Sequence, residues 1–177
     1  MQESYEGQHH ANGQREGRGI CRFANGSVYD GEWTADEYHG HGRYCAANGD
    51  GYEGEFREGV MHGHGTFFFA NGDKYHGTYK QGVMDGHGLF IEAGGDRYEG
   101  EWKRGVRDGH GIKTFADGEF MVSRWAGDVP VGDAVVWSKD RDSAWSMRDG
   151  NLHEVCEISL EEAEQIAASI DRGNGRC

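Results

Sequence analysis

Polar and apolar residues alternate in short stretches along most of the chain. Residues 52–57 read Tyr-Glu-Gly-Glu-Phe-Arg, which places two aromatic residues and a glycine on one side and two carboxylates on the other. This period of two residues is typical of a half-buried β-strand. A second stretch, residues 66–69, follows a Gly-His-Gly motif and reads Thr-Phe-Phe-Phe. We therefore predict a pair of antiparallel strands in this part of the chain.

The paired stretches return every 23 residues, and a fixed period of this length indicates a repeat array. Segments similar to residues 52–74 begin at three further tyrosines: Tyr29, Tyr75 and Tyr98. We predict a divergent first repeat over residues 1–28, four regular repeats over 29–120, a degenerate repeat with a final hairpin over 121–158, and a capping helix with a tail over 159–177. The predicted fold class is all-β, an antiparallel meander of hairpins.

Asn-Gly and related dipeptides separate the second strand of one repeat from the first strand of the next. The pair Asn71-Gly72 is typical of a two-residue type I′ turn, in which both residues take positive φ. This turn fixes the register. The predicted pairings are Phe68 with Tyr75, His64 with Tyr79, His41 with Phe56, His87 with Trp102 and His110 with Trp125. One face then carries the tyrosines, the second aromatics and the histidines, and the repeated glycines leave a groove between them.

A helix is predicted at the end of the pattern. Ser159 is followed three residues later by Glu162, which makes a capping box. The helix should reach about Ile170 and bear one apolar face: Leu160, Ala163, Ile166, Ala167 and Ile170. Because an open sheet edge must be covered, we expect the helix to pack on the chain's own sheet. The final hairpin is predicted from Ala144–Met147, a turn at Asp149-Gly150, and Leu152–Ile158.

Composition and charge narrow the classes of partner. The net charge is −13, and the acidic excess is present both in residues 1–120 and in residues 121–177. Phosphate binding needs clustered cations, so nucleic acid is excluded as the main partner and acidic lipid is disfavoured. The four cysteines form no CxxC pair, and neither a leader nor a membrane-length apolar run is evident. We expect a soluble, cytoplasmic protein.

Candidate chemistry is sparse. Equivalent histidines of the array lie two strands apart, about 9.6 Å at ~4.8 Å per strand, whereas zinc ligands lie about 2.0–2.1 Å from the ion. We therefore predict no metal and no cofactor. The serines include no Gly-x-Ser-x-Gly motif, and each Gly-x-Gly enters a strand rather than a helix, so the protein is not expected to be an enzyme. A protonated imidazole over Trp102 or Trp125 would gain about 0.5–2 kcal/mol, which suggests pH-dependent partner binding.

The recurring pattern resembles the MORN repeat (membrane occupation and recognition nexus), in which YxGxW is followed by GxG and by a further glycine. Residues 29–120 match it in four consecutive copies. The resemblance implies a single elongated, twisted antiparallel sheet with a groove along it. It also implies a mostly non-enzymatic scaffold at cytoskeletal, ciliary or membrane structures. Some family members bind an amphipathic partner helix along the aromatic groove, and some have been proposed to bind acidic phospholipids.

The sequence therefore predicts a protein-protein interaction scaffold with an aromatic-lined groove for a partner helix or a second protomer. The predicted groove residues are Tyr29, Trp33, Tyr52, Phe56, Tyr75, Tyr79, Tyr98, Trp102, Trp125, His64, His87 and His110. A membrane-surface adaptor for acidic phospholipid and a regulatory subunit of an enzyme are the alternatives. The aromatic rows have a second interpretation, as the core of a thin sheet whose remaining surface is covered by the helix, a second copy or a partner.

Overall fold

The computed structural model describes residues 2–148 and 155–172. Its strands form one open antiparallel sheet of 14 strands in chain order, which confirms the predicted all-β meander. The elements are β1 (Ser4–His9), β2 (Arg15–Arg22), β3 (Val28–Thr34), β4 (Glu37–Cys45), β5 (Gly51–Arg57), β6 (Val60–Phe68), β7 (Lys74–Lys80), β8 (Val83–Ile91), β9 (Arg97–Lys103), β10 (Val106–Thr114), β11 (Phe120–Ala126), β12 (Val129–Trp137), β13 (Ala144–Met147), β14 (Val155–Ile158) and α1 (Leu160–Arg172). The chain divides into two compact units, residues 1–85 (unit 1) and 86–177 (unit 2).

The Asn-Gly turns have three-residue loops, so the predicted two-residue turn is wrong. At the tip between β6 and β7, the Gly72 N–H donates to the Phe69 carbonyl and the Phe69 N–H donates to the Asp73 carbonyl, both at 2.9 Å. Gly72 has a φ of 96°, but Asn71 does not have a positive φ, as a type I′ turn would require. The Asn71 side chain instead accepts a hydrogen bond from the Asp73 N–H at 3.1 Å, an Asx turn. The loop is therefore a type I turn closed by a left-handed glycine.

The extra loop residue shifts the register by one and moves the histidines to the opposite face. Phe67, not Phe68, pairs with Tyr75. The predicted contacts of the histidines with Tyr79, Phe56, Trp102 and Trp125 are all wrong. The observed pairs are His64 with Thr78, His41 with Glu55, His87 with Glu101 and His110 with Arg124. We call the side that carries Tyr29, Tyr52, Tyr75 and Tyr98 the tyrosine face, and the opposite side, which carries His41, His64, His87 and His110, the histidine face.

The Gly-His-Gly motifs around His41, His64 and His110 each contain a β-bulge that the sequence analysis missed. Between β5 and β6 the register shifts after Gly54, and Gly63 takes a φ of 59°. The Glu55 carboxylate accepts a hydrogen bond from the His64 N–H at 2.8 Å. Equivalent bonds join Glu32 to the His41 N–H at 3.3 Å and Glu101 to the His110 N–H at 3.2 Å. A glutamate nine residues before the histidine is the sequence signal at these three motifs; Thr78 stands at that place before His87.

The glycine rows of the tyrosine face are filled by tyrosine rings. The Tyr52 hydroxyl donates to the Glu55 carbonyl at 3.0 Å, which draws the ring across Gly54 and Gly65. A Cβ atom on Gly65 would come within 3.0 Å of three Tyr52 side-chain atoms. The predicted open groove between the aromatic rows is therefore absent in unit 1, and Tyr98 closes the equivalent space over Gly111 in unit 2 in the same way.

The helix packs on the chain's own sheet, as predicted. Ser159 caps it, because its hydroxyl accepts a hydrogen bond from the Glu162 N–H at 3.2 Å. The helix lies on the histidine face of β11, β12 and β13 in unit 2. Its apolar residues join a cluster of Val122, Val135, Trp137, Ala144, Ala163 and Ile170, with Phe120, Ile158, Ile166 and Ala167 packed against it. Leu160, predicted on this apolar side, is 42% exposed.

The predicted turn at Asp149-Gly150 and the start of the last strand at Leu152 lie outside the described residues. The described part of the last hairpin is β13 and β14, paired antiparallel through Trp145 and Glu157. Within the described chain, the helix lacks the length and apolar character that a membrane span requires.

Candidate protein-interaction surfaces

The predicted aromatic groove residues form the core of the sheet. All of them are between 0 and 7% exposed: Tyr29, Trp33, Tyr52, Phe56, Tyr75 and Tyr79 in unit 1, and Tyr98, Trp102 and Trp125 in unit 2. Their rings meet edge to face, with the Tyr52 and Phe56 centroids 5.0 Å apart and the Tyr98 and Trp102 centroids 5.4 Å apart. This arrangement matches the interpretation of the rows as the core of a thin sheet. So little exposed ring surface leaves a partner almost nothing to contact on these residues.

Two arginine side chains cover the tryptophans at equivalent places in the two units. The Arg15 guanidinium lies 4.2 Å from the Trp33 ring centroid, and its Nε donates to Asp36 at 3.1 Å. The same arrangement recurs 92 residues later, where Arg107 lies 4.3 Å from the Trp125 centroid and donates to Asp128 at 3.0 Å. Asp36 and Asp128 both take a φ of 70°. The tyrosine face is thus closed by cation–π contacts as well as by rings.

Burial also changes the chemistry of the core tyrosines. Desolvation raises the pKa of Tyr75 to about 12, with a smaller contribution from the negative charge of Asp85, while a hydrogen bond to the Thr78 carbonyl opposes the shift. Desolvation likewise raises the pKa of Tyr38 to about 12. The pKa values of Tyr29, Tyr52 and Tyr98 are raised further, chiefly by the same desolvation. These phenols therefore remain neutral at physiological pH.

The predicted histidines are separated from the aromatic rows. In unit 1, His64 is exposed and lies with His41 and His76 along a groove of about 620 Å³ on the histidine face. The groove is also lined by Arg18, Asp30, Gly31, Gly42, Arg43, Glu53, Gly54, Gly65, Thr66 and Phe68. In unit 2, His87 and His110 stand opposite Glu101 and Arg124. Sequence reasoning missed this polar groove because the register was wrong by one residue.

A smaller pocket lies on the histidine face of unit 2 beside the helix cluster. It has a volume of about 370 Å³ and is lined by Leu89, Arg97, Glu99, Ile112, Thr114, Phe120 and Arg141. Ile112 is 37% exposed and is the cross-strand partner of Val122, which the helix covers. The Arg141 guanidinium lies 5.0 Å from the Phe120 ring centroid. The pocket therefore combines apolar side chains with two cationic residues, Arg97 and Arg141, and one carboxylate, Glu99.

Across residues 2–148 and 155–172, no group of three or more histidine, cysteine, aspartate or glutamate residues is placed to hold a metal ion.

Comparisons with known proteins identify the repeat. The MORN repeat model matches residues 11–28, 29–51, 52–74, 75–97 and 98–120. No curated protein matches the chain. Among solved structures, the TCP domain of SAS-4 from Drosophila melanogaster, in complex with a proline-rich motif of Ana2, is 13% identical, with 88% of this chain and 89% of that chain covered and a TM-score of 0.46. The TCP10 domain of Danio rerio CPAP, in complex with a STIL peptide, is 14% identical, with 81% and 68% covered and a TM-score of 0.44.

These structural similarities are too low to carry an argument about function. The matched segments of the repeat model, in contrast, span more than half of the sequence without a gap between residues 11 and 120. The chain belongs to the MORN repeat family.

Proposed function

We propose that the protein is a non-catalytic interaction scaffold that receives a partner helix on the histidine face of unit 2, beside α1. The observation that carries this proposal is that the chain already holds an amphipathic helix on this face. Ala163 and Ile170 of α1 pack against Val122 and Val135 of the sheet. The neighbouring strands β9 and β10 continue the same face, and Ile112 is partly exposed there.

The chemistry of the pocket favours an amphipathic helix with acidic residues. Ile112, Leu89 and Phe120 offer apolar contacts, and Phe120 also packs against the cluster under α1. A second helix would therefore extend an existing apolar layer, in the helix-in-groove mode. Arg97 and Arg141 line the pocket and outnumber its one carboxylate, Glu99, so they would pair with carboxylates flanking the apolar stripe of the partner.

A displayed library of helical peptides tests the proposal. We expect the selected binders to carry an apolar stripe with acidic neighbours. Ile112→Glu should weaken their binding at least about tenfold, because it places a charge at the centre of the apolar contact. Val131→Glu is the matched control. The exposed fraction of Val131, 40%, is similar to the 37% of Ile112, but Val131 does not line the pocket. Equal binding by the two variants would refute the site.

Sedimentation with anionic vesicles distinguishes the scaffold from the alternative of a lipid adaptor. At a net charge of −13, we expect weak or no binding at physiological salt. Strong vesicle binding that Lys103→Glu with Arg104→Glu abolishes would favour the lipid adaptor. Sedimentation of the chain alone would reveal a second copy as the occupant. An association with cytoskeletal or ciliary structures stays a prediction from family membership.

A further inference from the structure

The groove on the histidine face of unit 1 brings together side chains that can carry positive charge. Arg18, Arg43, His41, His64 and His76 all line its volume of about 620 Å³. The three histidines come from different strands, β4, β6 and β7, and all are exposed. A ligand lying across these strands could therefore contact several of them at once.

Backbone at four glycines lines the groove: Gly31, Gly42, Gly54 and Gly65. Gly42 pairs with Gly31 on one side and with Gly54 on the other, and Gly54 pairs in turn with Gly65. Side chains alternate between the two faces of a strand, and the Cβ positions of these glycines point to the tyrosine face, so these residues present only backbone on the histidine side. An extended peptide segment fits such a surface, because its own backbone can approach closely where no side chain projects.

The charge of the groove depends on pH. With neutral imidazoles, Arg18 and Arg43 balance Asp30 and Glu53, so the formal charge of the lining is zero. Protonation of the three lining histidines raises this charge to +3. Protonation of all 10 histidines changes the formal charge of the whole chain from −13 to −3, which weakens the repulsion of an anionic ligand. Imidazoles ordinarily titrate near ~6.5.

Two carboxylates beside the histidines, Glu32 and Glu55, add two negative charges, so the groove with these neighbours changes from −2 to +1 when the three histidines are protonated. Glu55 faces His41 across the β4 and β5 pair, and its carboxylate accepts the backbone N–H of His64 at 2.8 Å. Glu32 accepts the His41 N–H at 3.3 Å and lies 4.0 Å from Arg18.

Two further charged neighbours offset each other: Lys74, two residues from His76 on β7, and Asp85, whose carbonyl accepts a hydrogen bond from Thr78. The remaining neighbours are uncharged or are themselves imidazoles: Thr78 opposite His64, Thr66 hydrogen-bonded to His76 at 2.9 Å, His39 opposite Glu32 and His62 opposite Glu55.

We propose that this groove binds an acidic peptide segment of a partner protein when its three histidines are protonated, and releases it at neutral pH. The site lies in unit 1 and is separate from the helix pocket of unit 2. The hypothesis that a protonated imidazole lies over Trp102 or Trp125 does not apply, because the histidines lie on the opposite face of the sheet. The pH dependence arises instead from the charge of the groove lining.

Fluorescence anisotropy of a labelled peptide in which glutamate alternates with glycine tests the proposal with the full chain. At about pH 5.5 the affinity should be at least tenfold higher than at about pH 7.5, since three added charges each contribute an exposed ion pair. The variant His41→Gln with His64→Gln and His76→Gln should lose this gain. The matched control, His9→Gln with His10→Gln, changes exposed histidines outside the groove and should retain it.

Arg43→Gln provides a second test that changes no titrating group. It should weaken binding at about pH 5.5 by about threefold or more, because one permanent charge is lost. A peptide with glutamine in place of glutamate should not bind more tightly at the lower pH. The proposal is overturned if the wild type binds the glutamate peptide equally at both pH values, or if the triple variant keeps the gain. Binding of anionic vesicles without binding of the peptide would also overturn it, in favour of lipid.

Discussion

Gly111→Ala would place a methyl group where the Tyr98 ring already lies. A Cβ atom on Gly111 would come within 3.0 Å of the Tyr98 hydroxyl and of two of its ring carbons, closer than real Cβ atoms come. The ring must therefore retreat, although it is 3% exposed and contacts Trp102 and Trp125 at centroid distances of 5.4 and 5.2 Å. Overpacking of this kind costs about 1–3 kcal/mol. The displaced hydroxyl also loses its 3.2 Å bond to the Glu101 carbonyl, a further cost of about 1 kcal/mol.

Gly94→Ala is the matched control in the same unit. Gly94 has no positive φ, and nothing lies within 4 Å of the position of its Cβ. Both substitutions reduce the entropy of the unfolded chain in the same way, so this contribution cancels in the comparison. We expect Gly111→Ala to be less stable than Gly94→Ala by about 2–4 kcal/mol, measured by urea unfolding followed by tryptophan fluorescence and far-UV circular dichroism.

A double variant separates the clash from other effects of the alanine. Tyr98→Leu shortens the side chain, so in that background the methyl group on residue 111 should cost markedly less. A difference between Gly111→Ala and Gly94→Ala below about 0.5 kcal/mol would refute the reasoning, because that is within the range of an ordinary surface substitution. Strict additivity of Gly111→Ala and Tyr98→Leu would refute it as well.

Further predictions concern the tyrosine hydroxyls, the stability at alkaline pH and the Arg107 side chain that covers Trp125. No described residue accepts a hydrogen bond from the buried Tyr79 hydroxyl, so Tyr79→Phe should leave the free energy of unfolding unchanged or raise it by up to about 1 kcal/mol. Tyr52→Phe removes the bond to the Glu55 carbonyl and should lower the free energy of unfolding by about 1 kcal/mol in the same urea assay. The pKa of Tyr75 is raised from 10.0 to about 12, so the stability that the neutral phenol contributes is complete below pH 10.0 and is lost as the pH rises towards about 12. In an alkaline titration, the tyrosinate absorbance of the folded protein should therefore lag behind that of a denatured control until the circular dichroism signal is lost. Arg107→Lys should lower the free energy of unfolding by about 1–2 kcal/mol, because lysine cannot replace the two bonds to Asp128 or the stacking on Trp125; an unchanged urea midpoint would contradict this.

The elements of the fold could be predicted because each has a strong local signal. The period of two residues predicts the strands, and the 23-residue interval predicts the order of the hairpins. Ser159 and Glu162 predict the start of the helix, which begins at Leu160. These signals depend on neighbouring residues alone, so tertiary packing does not change them.

The faces could not be predicted, because they depend on one residue in each turn. Asn71-Gly72 suits either a two-residue turn or a three-residue loop, and only the backbone conformation of Asn71 distinguishes them. That ambiguity placed His64 among the aromatic residues. The groove predicted at the repeated glycines was also wrong, because the Tyr52 ring fills that space when its hydroxyl donates to the Glu55 carbonyl. The polar groove of unit 1 was therefore missed, although its residues were all visible in the sequence.

The tyrosines and the histidines lie on opposite faces, and both proposed binding surfaces are on the histidine face. Cross-strand NOEs between backbone protons of β6 and β7 test this arrangement most directly, since they report the register itself. The register of β6 and β7 predicts close pairs between Phe67 and Tyr75 and between His64 and Thr78. Close pairs between Phe68 and Tyr75 and between His64 and Tyr79 would instead place the histidines on the aromatic face and contradict this arrangement.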